Sequence, residues 1–204
     1  MNHTKPINKE FLEDDSNFYT AFTQYNLDEI WKSERELKYM IKVLFVCHGN
    51  ICRSPMSEFV LKDMVEQRGL TEQFEIASAA TSTEEIRNGK GNPIYPPAQA
   101  ELRRRGIGGT AYTDFSGKRA RQVTGEDYEH YDYLLCADTA NIRNMIRITG
   151  ADTERKIKLL LDYTDRPGCS IADPWYSGNF EDTYRDVDAG CEGFFAYLKE
   201  KGAI

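Results

Sequence analysis

The 204-residue sequence has no apolar run approaching the ~20 residues that cross a bilayer as a helix, so no membrane-spanning helix is expected. The first thirty residues carry Glu10, Glu13, Asp14, Asp15 and Asp28 and contain no apolar core segment, which is not the pattern of a secretory signal. The cytosol is the default compartment on that basis. Histidine is scarce, and His3, His48 and His130 are scattered. The five cysteines (Cys47, Cys52, Cys136, Cys169 and Cys191) are odd in number and widely spaced, unlike a disulfide framework. No Cys-x-x-Cys pair or Cys/His cluster falls at zinc spacing, so no metal or other cofactor is expected. Basic residues are the minority, 26 against 33 acidic ones, and the net charge of −7 argues against a nucleic-acid partner.

The composition, 40% hydrophobic and 29% charged, suits a globular protein with one substantial core. Residues 1–39 read differently, as a polar arm with scattered aromatics (Phe11, Phe18, Tyr19, Phe22, Tyr25 and Trp31). Ser16 could cap one short helix there, and Asn26 with Glu29 resembles a capping box for a second. From residue 41 the pattern alternates. Residues 41–46 form a nearly continuous apolar run, as a buried parallel strand requires. Ser54 as N-cap and Pro55 at the first helical position open a helix that Gly69 ends. Further strands are expected over residues 74–77, 131–136 and 156–161, and helices over 98–105, 139–148 and 180–201. The last helix should turn Tyr184, Val187, Cys191, Phe194, Phe195 and Leu198 inward. Strands alternating with helices imply an α/β fold with a parallel sheet covered on both faces.

The informative segment is Val46-Cys47-His48-Gly49-Asn50-Ile51-Cys52-Arg53-Ser54-Pro55, between a buried strand and a helix N-terminus. Open α/β sheets bind ligands at that end of their strands. Successive N–H groups of a tight loop can converge on an anion, and the helix adds its positive end. Gly49 and Asn50 are residue types that tolerate left-handed backbone. The N–H groups that hold phosphate also stabilise a thiolate at Cys47, and Ser54 can donate to the sulfur. Arg53 offers a planar pair of donors to phosphoryl oxygens, which lysine cannot copy. A lone buried cysteine at a strand end is usually inert packing. The full Cys-x5-Arg-Ser string between strand and helix is far more specific for phosphate chemistry.

These residues resemble the signature loop of the low-molecular-weight protein-tyrosine phosphatases. Ser78-Ala79-Ala80-Thr81-Ser82, Ala120-Arg121-Gln122, Asp132-Tyr133 and Asp173-Pro174-Trp175-Tyr176 extend the resemblance over residues 40–202. It implies a flavodoxin-like three-layer sandwich with a four-stranded parallel sheet, metal-independent chemistry and a cysteinyl-phosphate intermediate. An Asp-Pro pair is ordinarily only a turn. Here the resemblance makes Asp173 the acid that protonates the tyrosine oxygen and then the base for hydrolysis. Trp175 and Tyr176 would wall a deep slot for the phosphotyrosine ring, with His48 and Ile51 at its mouth. The family most often carries two tyrosines where Trp175 and Tyr176 stand. In the family a pair equivalent to Cys47 and Cys52 can form a protective disulfide; the plain alternative is a small loop residue at Cys52. The implied partner is a phosphotyrosine protein, with no membrane and the enzyme a monomer or weak dimer.

Related phosphoarginine phosphatases carry Thr where this chain has Ile51, which favours phosphotyrosine. Thioredoxin-coupled arsenate reductases need a further cysteine pair on a mobile segment, and Cys136 in a predicted core strand fits that poorly. A pure phosphotyrosine-binding module would need neither thiolate nor acid. A flavodoxin-like electron carrier would need hydroxyl-rich phosphate contacts in place of Cys-x5-Arg. The loop after the second strand is longer than in many relatives, and it carries Glu84, Glu85, Arg87, Asn88 and Lys90 where many have an aromatic. Arg103-Arg104-Arg105 reads as a solvated face of a helix. Residues 1–39 precede the usual start of the family and read as a docked or disordered tail, or as an arm whose aromatic face occupies a partner site or gates the active-site mouth. An arm of either kind predicts that deleting residues 1–38 changes turnover or oligomeric state; unchanged kinetics and mass would dispose of it.

Overall fold

The computed structural model describes residues 40–204, and the two helices expected within residues 1–39 lie outside that range. Four parallel strands form the central sheet in the order β2-β1-β5-β6. They are β1 (Ile41–Cys47), β2 (Phe74–Ala80), β5 (Tyr133–Cys136) and β6 (Ile157–Leu159). A separate antiparallel hairpin, β3 (Ile86–Arg87) and β4 (Lys90–Gly91), sits in the long loop after β2. The helices are α1 (Arg53–Gln67), α2 (Pro96–Arg104), α3 (Gly125–His130), α4 (Thr139–Thr149), α5 (Pro174–Ser177) and α6 (Phe180–Glu200). This is the flavodoxin-like arrangement expected from the sequence.

Strand β1 reads as a continuous apolar run because both its faces are covered. Val43, Phe45 and Cys47 point into a core with Phe59, Val60 and Leu61 of α1 and Phe194, Phe195 and Leu198 of α6. Leu44 and Val46, one residue out of phase, point into a second core with Leu134, Cys136, Met145 and Tyr128. Of the inward positions expected on α6, Val187, Cys191, Phe194, Phe195 and Leu198 are buried, and Tyr184 is partly so.

Several boundaries differ from the sequence expectation. Ser54 does not cap α1; the cap position is Cys52, and the Ser54 hydroxyl is bound to Cys47 Sγ instead. Strand β2 continues through Ser78-Ala79-Ala80, which pair with Phe45, Val46 and Cys47, so these residues belong to the strand and do not follow it. Strand β5 begins later because Asp132 brackets the backbone of Lys42, accepting its N–H at 2.8 Å and donating its own to the carbonyl at 2.9 Å. Strand β6 ends at Leu159, whose N–H is taken by Asp162 Oδ2 at 3.0 Å as the chain turns into a 3-10 helix. Helix α3 was not expected, although Thr124 and Asp127 form its capping box. Nor was the hairpin, although Asn88 (φ 51) and Gly89 (φ 73) are the Asn-Gly pair that a tight hairpin turn favours. The Arg103-Arg104-Arg105 run is less solvated than expected. Arg104 and Arg105 both pair with Glu101, and Arg103 lies over the Phe115 ring.

Helix α6 passes so close to the 3-10 segment that a Cβ on Gly193 would lie 2.1 Å from the Tyr163 carbonyl oxygen. A backbone atom cannot yield as a side chain can. Gly193→Ala is therefore expected to destabilise the fold by about 2–3 kcal/mol, read as a lower midpoint in urea denaturation.

Candidate active site

Parallel strands end together, so the loops after β1 and β5 meet at one edge. That edge lies where the chain, having laid β2 on one side of β1, places β5 on the other, the crevice in which such sheets bind ligands. The loop after β1 folds back on its own cysteine. Asn50, at φ 56, adopts the left-handed backbone that its residue type tolerates, and its N–H donates to Cys47 Sγ at 3.2 Å. Ser54 Oγ lies 3.0 Å from the same sulfur. Helix α1 starts at Arg53, so its positive end faces the loop.

Arg53 is only 6% exposed. One terminal nitrogen donates to Asp138 Oδ2 and the other meets Asp173 Oδ2, each at 2.7 Å. Burial works against its charge, but the Cys47 sulfur, Asp138 and Asp173 outweigh it and hold the guanidinium above its ordinary pKa. The donors expected to face phosphoryl oxygens are thus engaged by carboxylates in this structure. Each carboxylate is itself fixed by capping a helix. Asp138 Oδ1 accepts the Asn141 N–H at 2.7 Å at the start of α4, and Asp173 Oδ1 accepts the Trp175 N–H at 3.0 Å at the start of α5. Asp138 was missed in the sequence. Its signal was an aspartate directly between a strand and a helix, the N-cap position of a β–α junction.

The pocket so formed has a volume of about 360 Å3, with Cys47, Cys52, Arg53 and Asp173 among its lining. His48, Gly49 and Ile51 line it too, as do Trp175 and Tyr176. Asn50 and Ser54 are buried behind the loop. Neither aromatic packs inward: Trp175 is 60% and Tyr176 88% exposed. Trp175 leans on Tyr95, with ring centroids 5.6 Å apart. Glu84 and Glu85 complete the mouth, and His48 Nε2 lies 2.9 Å from Glu84 Oε2. Burial, followed by the nearby sulfur of Cys47, pushes the Cys52 thiol up to about 12, so Cys52 stays protonated. Cys136 is buried in β5 and Cys191 in α6, whereas Cys169 is exposed.

A family model described as low molecular weight phosphotyrosine protein phosphatase matches residues 42–203. The chain belongs to this family. The Bacillus subtilis low molecular weight protein-tyrosine-phosphatase YfkJ is 38% identical over 163 residues, covering 79% of this chain and 98% of its own length. The human low molecular weight phosphotyrosine protein phosphatase is 37% identical, over 74% of this chain and 92% of its own. The crystal structure of YfkJ superposes with a TM-score of 0.71 at 36% identity, covering 79% of this chain and 96% of that one. That of a low molecular weight protein tyrosine phosphatase from Streptococcus pyogenes gives 0.64, also at 36% identity, over 78% and 93%. The matched region of the phosphatase family therefore coincides with the described sheet and pocket, and residues 1–39 lie before it. Among the described residues no helix is long and apolar enough to cross a membrane.

Asp138 serves two structures at once, and two substitutions separate them. Asp138→Asn keeps a capping oxygen but removes the charge facing Arg53, whereas Asp138→Ala removes both. The alanine variant is expected to lie about 1 kcal/mol below the asparagine variant in urea denaturation. Equal stability of the two would mean that the cap contributes nothing.

Proposed function

We propose that the protein hydrolyses phosphotyrosine in proteins by a two-step displacement through Cys47. The observation that carries this reading is the convergence of a sulfur, a buried guanidinium and a helix-capping carboxylate on one pocket. In the first step Cys47 Sγ attacks phosphorus. The S–P bond forms as the P–O bond to the tyrosine breaks, and Asp173 gives its proton to the departing oxygen. In the second, water attacks phosphorus with Asp173 taking a proton from it, and the P–S bond breaks to return the thiolate and inorganic phosphate. The entering phosphoryl group takes over the Arg53 donor that Asp173 holds, which frees Asp173 to address the leaving oxygen. Because a guanidinium has five N–H groups, Arg53 can keep its bond to Asp138 while clamping phosphate. The loop N–H groups of residues 48–53 and the start of α1 hold the equatorial oxygens, where charge collects in the transition state.

The depth of the site favours an aryl ester. Cys47 is buried, and the exposed rings of Trp175 and Tyr176 stand at the mouth. An aromatic ring between them would reach the sulfur where the shorter arm of phosphoserine would not. Ile51 puts a hydrocarbon surface at the mouth, which suits a phenyl ring better than a guanidino group. The reaction as written uses no metal. A cytoplasmic setting belongs to the same reading, since a reducing compartment keeps Cys47 and Cys52 as thiols. So do a catalytic domain over residues 40–204 behind an N-terminal extension, and action as a monomer or weak dimer.

The test is hydrolysis of a phosphotyrosine peptide in EDTA under reducing conditions. Cys47→Ser should abolish turnover, and Asp173→Asn should lower kcat by about 10²–10⁴-fold, the usual contribution of a general acid. No wild-type turnover while the phosphopeptide still binds would replace hydrolysis with a binding role. Preference for phosphoarginine would overturn the reading of Ile51.

A further inference from the structure

Tyr95 opens α2 but does not cap it. Its position, just before Pro96, is one where Ser, Thr, Asp or Asn would bind a free N–H group, and the tyrosine side chain makes no such bond. Its backbone is tied to the cysteine loop, the N–H donating to the Ile51 carbonyl at 2.9 Å. Its ring turns toward the segment that carries Asp173. The Tyr95 centroid lies 5.6 Å from that of Trp175 and 6.1 Å from that of Phe180, contact distances for aromatic pairs. Tyr95 itself does not line the pocket.

Trp175 and Phe180 stand at the two ends of a short turn. Helix α5 is a single turn, Gly178 closes it at φ 68, and Asn179 caps α6, whose first residue is Phe180. The chain before Asp173 is anchored. The Ala172 N–H donates to Asp186 at 2.9 Å, and the Ala172 carbonyl accepts the Thr183 hydroxyl at 2.9 Å. Phe180 is anchored too, packed against the cluster of Ile51, Cys52 and Ala120. Between these anchors the hydrogen bonds are internal to the turn: Gly178 N–H to the Pro174 carbonyl at 2.8 Å, and the Ser177 hydroxyl to the Asp173 carbonyl at 3.3 Å. The exposed Trp175 ring meets the body of the protein at Tyr95.

That contact bears on the acid. The Asp173 carboxylate is held at two points: Oδ2 meets Arg53 at 2.7 Å, and Oδ1 accepts the Trp175 N–H at 3.0 Å. When a phosphoryl group takes the Arg53 donor, the Trp175 N–H remains, and the carboxyl points where Trp175 holds it. We propose that Tyr95 is a positioning residue for the general acid: its ring braces Trp175 and, through the Trp175 N–H, keeps Asp173 aimed at the leaving oxygen. The inference rests on Asp173 being the acid of the proposed hydrolysis. Loss of the Tyr95 ring leaves Arg53 and the cysteine loop with their own partners, so phosphate binding and attack by sulfur are kept while protonation of the leaving group suffers.

The test gives the full chain two esters. One is a phosphotyrosine peptide, whose leaving phenol has a pKa of about 10. The other is 2,4-dinitrophenyl phosphate, whose phenolate is so weak a base that it departs without a proton. The quantity compared is kcat/KM, which covers the steps up to loss of the phenol and not the later hydrolysis. Tyr95→Ser removes the ring and supplies the cap that α2 lacks, which protects the fold, whereas Tyr95→Phe keeps the ring. Tyr95→Ser should lower kcat/KM about tenfold on the peptide, as misplacement of a reacting group does, and less than about threefold on the dinitrophenyl ester. Tyr95→Phe should match wild type on both. Equal losses on the two esters would overturn the proposal, because a disturbed cysteine loop or a lost wall of the slot slows both alike. So would a serine variant with full activity on the peptide. A second readout needs no turnover. In a Trp31→Phe background Trp175 is the single tryptophan, and its fluorescence anisotropy should fall in Tyr95→Ser and not in Tyr95→Phe. Unmoved anisotropy in the serine variant would overturn the brace itself, a failure distinct from failure of the protein to hydrolyse either ester. Should Tyr95→Ser not fold, Tyr95→Leu, apolar but without a ring, takes its place with the same expectations.

Discussion

The buried guanidinium of Arg53 is the interaction on which the pocket depends. A cation at this depth is tolerable only if anionic partners surround it with good geometry. Arg53 has two carboxylates at 2.7 Å and the cysteine sulfur near it. Each comes from a different part of the chain: Cys47 from the end of β1, Asp138 from the β5–α4 junction, Asp173 from the cap of α5. Parallel strands bring two of these to one edge without further folding. The third arrives because the chain returns from the 3-10 segment to the same edge, where the Ile171 N–H is held by the Ala137 carbonyl at 2.9 Å. The charges that stabilise one another in the fold are thus the groups that line one pocket.

The loop around Cys47 was legible because its information is local. Cys47, the turn that folds back on it and Arg53 lie within one strand–turn–helix unit, so residue type and spacing suffice to place them together. The strands and long helices were legible for a similar reason, since β1 is a nearly continuous apolar run and α6 repeats its apolar positions at helical spacing. What escaped was set by register. Asp138 reaches Arg53 across 85 positions of sequence, and only the pairing of β5 beside β1 brings them together. The role of Ser54 was half read, because cap and sulfur ligand are both plausible uses of a serine there. Geometry resolves it: the hydroxyl is held between Asn50 and Cys47, and α1 begins with no side-chain cap. The ends of β5 and β6 slipped for a third reason. Asp132 and Asp162 turn backbone groups away from the ladder, and such a competing side-chain bond looks in sequence like any other aspartate.

A net charge of −7 in a member of a phosphotyrosine phosphatase family needs a physical explanation. Screening supplies most of it. At physiological ionic strength exposed charges fade over about 8 Å, so most of the surface acids are not felt at the bottom of the pocket. The donors there are fixed and close, and burial reduces the screening that weakens them. The global charge therefore affects how an anionic protein approaches, whereas the local donors decide whether its phosphoryl group is held. Two carboxylates escape that separation, because Glu84 and Glu85 line the mouth itself. Glu84 is partly answered by His48 at 2.9 Å, and Glu85 by the Asn92 amide at 2.6 Å, which is neutral and leaves the charge in place. An anion entering the pocket would thus pass an acidic rim before it reaches the buried Arg53. That sequence of fields acts on the groups around an approaching anion, while Arg53 and the loop act at short range beside Cys47.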